Sequence, residues 1–480
     1  MTLKGPIDIL IIKSFLEPSK LRIIIMLKPF FRVVSLDEAK AGLQIVKPLG
    51  AEFAELDGAL FRVLAEAIRA DQDSPAFDRA TMDGYAVRSI DTFGSTESSP
   101  SLFNVVGEVP MGEFPKMKLK RGEAVKIWTG GVLPANADSV VMIEYSEDLG
   151  GNSLQVLKAV APFDNMVRRG EDYRKGEVLL NAGLRLKPQD LGLLASLGVT
   201  KVKVHRSPKV ALISSGDEIV PADQTPPPGC VRDVNRHSLF AGIREVFAEP
   251  MWMGLAGDTL KSVSTLIRSG LEQSDVVIIS GGSSMGSRDY VIQAISEAPD
   301  SKILAHGVSM SPGKPLILGL IDSKPVVGLP GHPISALVCF DQLVVPIIRR
   351  LAGEGSLQPF LRPQIRASLT RNVASKEGRL DFVRVKLSRV GDEYLATPFM
   401  AKSGMVSAMP RSHAYLKIPV GCEGYYKGRT VTVYLFSNWM GDDFEKEYFS
   451  GDETTCGGPG NSFGASGQEK LSGIGKDSNS

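Results

Sequence analysis

From residue 275 to residue 333 the chain alternates short apolar runs with polar loops rich in glycine and proline. The run at 275–280 (DVVIIS) opens onto Gly281, Gly282 and Ser283 and, a few residues on, Asp289. A second loop is SPGKP at 311–315, and a third run, 325–328, opens onto Leu329, Pro330, Gly331, His332 and Pro333. Continuous β-branched runs, without alternation, read as strands buried on both faces of a parallel sheet. Loops at the ends of such strands bind ligands in α/β proteins. Glycines there let backbone N–H groups come close to an anion. The pattern therefore predicts a site for a small anionic, phosphorylated molecule.

The same alternation extends over 208–352. Strands are expected at 210–213, 251–255, 275–280, 303–308, 316–321 and 325–328, and helices at 237–248, 259–272, 290–297 and 334–351. This is the pattern of a doubly wound, mostly parallel sheet. Asp258 is placed to cap the helix over 259–272. Upstream, Ser35 and Glu38 have capping-box spacing. Leu60, Leu64, Ala67 and Ile68 predict a helix over 56–70, and Pro188 with Gly198 brackets another over 188–197. Between them, 100–165 reads as short strands and turns, so a β-rich domain is inserted into a helical one. Beyond Pro359 the apolar period becomes two: Val383, Val385 and Leu387 alternate with Arg384, Lys386 and Ser388, and Val431, Val433 and Leu435 with Thr430, Thr432 and Tyr434. That predicts a small antiparallel sheet or barrel.

The expected architecture is thus multidomain α/β plus β. It comprises an extension at 1–26, a helical linker domain (27–74 and 166–207), an inserted β-rich domain (75–165), a doubly wound α/β domain (208–352), a C-terminal β-barrel-like domain (359–437) and a disordered Gly/Ser-rich tail (450–480). Met26 offers an alternative start that would leave 1–25 outside the native chain. The two apolar patches before it are too short to span a bilayer.

Composition narrows the functional classes. With 480 residues, 43% of them hydrophobic and 23% charged, the chain is globular, and a formal net charge of +1 gives no electrostatic reason to expect nucleic acid. Cys230, Cys339, Cys422 and Cys456 lack metal-site spacing, which points to a reducing, cytoplasmic setting without structural zinc. Pro follows the Gly-Lys pair at 313–314, so this is no Walker loop, and neither a strand-linked GxGxxG nor HExxH or GxSxG occurs. Carboxylates recur instead at loop positions: Asp217, Glu218, Asp258 and Asp289. Acids gathered at one sheet edge would repel unless a cation sat among them, and oxygen-rich clusters suit Mg²⁺. Each alone reads equally as a cap or a solvated charge. Lys314, with its backbone restricted by neighbouring prolines, suits an oxyanion. His332 has no partner that chemistry alone supplies, and Arg168, Arg169, Glu171 and Asp172 read equally as a solvated turn.

Taken together, FDRATMDGYAVR (77–88), TGGVLPANAD (129–138), RGED (169–172), SGDE (215–218), SGGSSMGSRD (280–289), PGKP (312–315), GLPGHPIS (328–335) and Ser403-Gly404-Met405 resemble the molybdopterin molybdotransferases, over about 27–437. The resemblance implies insertion of molybdenum from molybdate into adenylylated molybdopterin with release of AMP, dependent on Mg²⁺. It implies an elongated homodimer, with molybdopterin adenylyltransferase and molybdoenzyme maturation proteins as compatible further partners. Carried over, Asp83, Thr129, Glu218, Asp258 and Asp289 are catalytic. Gly281, Gly282, Ser283, Lys314, Pro330, Pro333, Asp172 and Ser403 bind substrate, and Asp217, Glu218 and Asp289 hold metal. Asp83 and Thr129 would face the cleft across the dimer. Arg79, Gly131, Ser287, Ser311 and His332 depart from the family pattern and bear on molybdate versus tungstate preference. Two other readings stay open: an adenylyltransferase-like enzyme, against which the extra upstream domains argue, and a non-catalytic scaffold of the same architecture.

Overall fold

The computed structural model describes residues 33–282, 289–355, 362–399 and 402–436. The expectations for the 1–26 extension, the 450–480 tail, Ser283 and Ser287 fall outside them. The described residues form two compact units. One runs to residue 355 and includes 403–406; the other holds the remainder from 362 to 436.

The apolar runs form a six-stranded sheet in the order Glu249–Ala256, Lys209–Ser215, Val276–Ser280, Lys324–Leu329, Ile317–Ile321, Ser301–His306. The first four strands are parallel and the last two antiparallel. The reversal follows from a two-residue turn: Asp322 and Ser323 both have positive φ (49° and 64°), the geometry that joins tightly paired antiparallel strands. Val276, Val277, Ile278 and Ile279 are all 0% exposed, each contributing roughly 1.5–3 kcal/mol on burial. Val277 and Ile279 pack with Ala211 and Ile213 against the helices Leu260–Gln273 and Tyr290–Ser296. Val276 and Ile278 project from the opposite face, where the helix Asn235–Glu245 lies on the strand Lys209–Ser215.

The helix expected over 334–351 is continuous but not uniform. Pro333–Cys339 and Val345–Leu351 are α-helical, and Phe340–Val344 between them is a π turn in which the Val345 N–H donates to the Phe340 carbonyl. Pro346 sits just beyond that turn, where a regular helix would lose a hydrogen bond.

Upstream, the capping box is present: Ser35 Oγ accepts from Glu38 N and Glu38 Oε2 from Ser35 N, at 3.1 and 2.8 Å. The helix expected over 56–70 is absent. Only Leu56–Gly58 is helical, as a 3₁₀ turn, and Phe61, Leu64 and Ala65 donate their N–H groups to Leu186, Leu184 and Lys203. Pairing with distant segments buries Leu64 fully, and this tertiary gain outweighs local helical spacing. The helix at Pro188–Ser196 forms as expected.

The inserted segment builds a second six-stranded sheet: Ser139–Met142, Gly84–Val87, Glu123–Ile127, Ser101–Val109, Ser153–Val156, Ser146–Gly150. Both its faces are covered, Ala86, Val125 and Val140 on one side and Tyr85, Val87 and Val141 on the other. In the second unit, strands Leu380–Val390, Glu393–Pro398, Gln364–Leu369, Thr430–Leu435 and Ala414–Ile418 close into a ring, the last pairing with the first. Val385, Leu387, Val431, Val433 and Leu435 fill it, as the period of two requires. No helix among the described residues is long and apolar enough to cross a membrane.

Candidate functional site

Three adjacent parallel strands, Lys209–Ser215, Val276–Ser280 and Lys324–Leu329, end side by side, with Ser214 opposite Ser280 and Ser280 opposite Leu329. Their loops therefore meet at one sheet edge. Gly281 is wedged there. Its N–H donates to the Leu329 carbonyl at 3.0 Å, its φ is 97°, and a Cβ at this position would lie 2.1 Å from the Ser215 carbonyl oxygen. Only glycine can hold that geometry. Gly282 follows with φ 64°.

The first loop carries Asp217 and Glu218, both exposed. Gly216 has φ 141°, and the Glu218 carboxylate folds over it so closely that a Cβ would sit 2.6 Å from Oε2. Asp217 Oδ1 accepts from the Asp258 N–H at 3.0 Å, which brings the loop after Glu249–Ala256 alongside. Asp258 is not the helix cap expected for it: Thr259 caps the helix, accepting from Ser262 N at 3.2 Å. The Asp258 carboxylate is left exposed beside the other two acids.

Asp289 departs from this group. It is 9% exposed and caps the helix Tyr290–Ser296 through Oδ1, 3.2 Å from Ile292 N, while Oδ2 stands 3.5 Å from His306 Nε2. Burial pushes its pKa above the ordinary carboxylate value; the Ile292 N–H and His306 oppose that rise. Among the described residues no group of three or more acidic, histidine or cysteine side chains is arranged to hold a metal ion. The expected set of Asp217, Glu218 and Asp289 is therefore not assembled. Asp289 is spent on its helix and on His306.

Lys314 is exposed, and its carbonyl accepts from Val308 N at 2.9 Å. Gly313 beneath it is buried, its carbonyl 3.6 Å from Cys339 Sγ. Pro330 is buried at the end of its strand. Pro333 opens the next helix, with His332 as a cap residue whose side chain makes no capping bond. Ser403 reaches this point too: its carbonyl accepts from Ile334 N at 3.3 Å, and Gly404 lies against the His332 ring.

Asn235 is the residue that sequence reasoning missed. It is 7% exposed and donates through Nδ2 to Ser280 Oγ at 2.6 Å and to the Gly331 carbonyl at 2.8 Å. It thereby ties the strand end before Gly281 to the loop before Pro333. The one available signal was its place at the start of an amphipathic helix straight after a loop.

In the inserted sheet, Asp83 and Thr129 meet directly. Asp83 Oδ1 accepts from both Thr129 N and Thr129 Oγ1 at 2.8 Å. Asp172 accepts from Ser74 Oγ at 3.4 Å, and its neighbour Arg169 pairs with Asp73 at 2.9 Å, so the RGED segment folds as a bonded turn. Among the described residues, no printed bond joins these side chains to the sheet-edge loops.

Comparison with known proteins accounts for nearly all of the described chain. Residues 34–198 match the MoeA N-terminal region (domains I and II), 211–350 a probable molybdopterin binding domain, and 366–436 the MoeA C-terminal region (domain IV). A molybdopterin biosynthesis protein of Methanocaldococcus jannaschii is 35% identical over 78% of this chain and 90% of its own length. The chain belongs to the MoeA family. A molybdopterin molybdenumtransferase of Bacillus subtilis is 32% identical over 82% of this chain and 91% of its own. The crystal structure of a MoeA protein from Pyrococcus horikoshii superposes with a TM-score of 0.72 at 30% identity, covering 84% of this chain and all of that one. In MoeA terms, the sheet-edge loops all lie in the molybdopterin-binding region, whereas Asp83, Thr129 and Asp172 lie in the N-terminal region and Ser403 in the C-terminal one.

Proposed function

We propose that this protein is a molybdopterin molybdotransferase. It takes molybdenum from molybdate into adenylylated molybdopterin and releases AMP as the phosphoanhydride is cleaved. The observation that carries the reading is the junction at Gly281, where three loops converge within the region similar to a molybdopterin binding domain. Backbone N–H groups and the Lys314 ammonium suit the anionic substrates. The dithiolene sulfurs belong to the substrate, so no cysteine cluster is needed.

Magnesium fits only in part. Asp217 and Glu218 stand exposed side by side and would hold the ion together with substrate phosphate oxygens, as is usual for Mg²⁺. Bound there, it would offset the charge of the AMP phosphate. Asp289 does not fit as a third ligand, because it is buried and already capped to a helix. Asp83 and Thr129 complete the site from a second subunit of a cytoplasmic homodimer.

The test is molybdate-dependent AMP release from adenylylated molybdopterin, assayed with Asp83→Ala and Glu218→Ala proteins. Unchanged turnover in both would remove the site assignment. Mixing the two inactive variants restores activity if the acids act across a dimer, and restores nothing if each subunit works alone.

A further inference from the structure

Asp233 and Asn235 flank the start of the helix Asn235–Glu245, and both are more than nine-tenths buried, at 5% and 7% exposure. Asp233 Oδ1 accepts from Arg236 N at 2.9 Å, but its Oδ2 has no hydrogen-bond partner. The Asn235 amide group donates to Ser280 Oγ and to the Gly331 carbonyl, and its Oδ1 is likewise unpartnered. A carbonyl can only accept, so the amide cannot be turned round. Two buried acceptors two residues apart thus await donors.

Both lie at the substrate edge of the sheet. Asp233 N donates to the Val220 carbonyl at 2.8 Å, fastening it to the loop that carries Asp217 and Glu218. Asn235 ties together the other two loops. Buried acceptors without donors are strongly unfavourable, a carboxylate most of all. Molybdate and the phosphate groups are themselves acceptors and cannot satisfy them. Adenine sets its one amino donor beside an acceptor nitrogen. A pterin presents a ring N–H and an adjacent amino group, two donors in a row.

We propose that Asp233 and Asn235 bind the N3–H and 2-amino edge of the substrate's pterin ring. The inference rests on adenylylated molybdopterin being the substrate. The test titrates the full chain with metal-free molybdopterin and with AMP, for wild type and Asp233→Asn, which keeps the oxygen facing Arg236 N. Competition by 6-hydroxymethylpterin is compared with that of 6-hydroxymethyllumazine, which has a carbonyl in place of the 2-amino group. We expect wild type to prefer the pterin, and D233N to lose that preference and to bind molybdopterin about ten-fold or more weakly. AMP affinity and the melting temperature should be unchanged. Wild-type binding with D233N unaltered overturns the inference alone. Wild type that binds no molybdopterin overturns the functional reading as well. A D233N protein that loses AMP affinity or thermal stability in step with molybdopterin shows a structural role and also overturns the inference.

Discussion

Thr129 donates twice to one oxygen of Asp83, through its backbone N–H and its hydroxyl, each at 2.8 Å. The two residues are brought together by strand pairing: Gly84, next to Asp83, lies opposite Ile127, two residues before Thr129. Bonds to the charged form hold the Asp83 carboxyl below its ordinary range, the backbone N–H contributing most and the hydroxyl next.

Thr129→Val removes the hydroxyl and keeps the backbone donor. The Asp83 pKa should then rise part of the way back toward the usual carboxylate value. If ionised Asp83 is needed for turnover, activity is present above its pKa and lost as pH falls through it. The acid limb of the pH–rate profile for AMP release should therefore move upward in T129V, with neutral-pH turnover less affected.

Lys314→Met should weaken oxyanion binding with little effect on folding, because the side chain is exposed. Loss of a charge-assisted bond of about 1.5–3 kcal/mol corresponds to roughly 10–100-fold. We expect the KM for molybdate, or the dissociation constant for the adenylylated substrate, to rise by that amount. Lys314→Arg should recover part of it. Equal affinities for K314M and wild type would show that the ammonium faces bulk water.

Gly281→Ala tests the junction of the loops. Its left-handed φ alone costs a non-glycine residue about 1–3 kcal/mol, and the added Cβ would fall 2.1 Å from the Ser215 carbonyl oxygen. Urea unfolding should show a lower midpoint with an unchanged slope. Pterin binding should fall further than global stability alone explains.

Asp289→Asn bears on pH. Burial raises the folded-state pKa of Asp289 above its unfolded value. The folded protein therefore holds the extra proton, and this group's contribution to stability declines as pH rises from the ordinary carboxylate value through the raised one. Asparagine keeps the oxygen that caps Ile292 N and never ionises. Thermal melts across that window should show a flatter decline in D289N than in wild type. Parallel curves would mean that Asp289 ionises as it does in the unfolded chain.

What the sequence reveals depends on the kind of signal a residue carries. The run at 275–280 is legible because four consecutive β-branched residues have no stable place except between two covered faces. The alternation at 431–435 is legible for the opposite reason, since one face of a ring looks inward. The helix expected over 56–70 fails because its spacing is satisfied equally by short bridges to 184–186 and 203–205, a choice that only distant partners make. Within the site, the acids at 217 and 218 could be located from loop position alone. Burial of Asp289 could not, because it depends on His306 from another strand. Asn235 carries no periodic signal, and its importance comes from two loops that are 45 and 96 positions away.

The π turn at 340–344 also sets a limit on the length of this segment. It holds one residue more than a regular helix would, and each residue advances a helix by about 100°. Deleting any one of the five would let the turn relax to an ordinary helix and rotate everything after it by about that angle. Ile347, Ile348 and Leu351, now buried, would swing toward water. Arg349 would leave Glu354, and Arg350 would lose the carbonyls of Val46 and Gln44. A single lost codon here, with no residue of the substrate site altered, would detach the helix from the far side of its own domain.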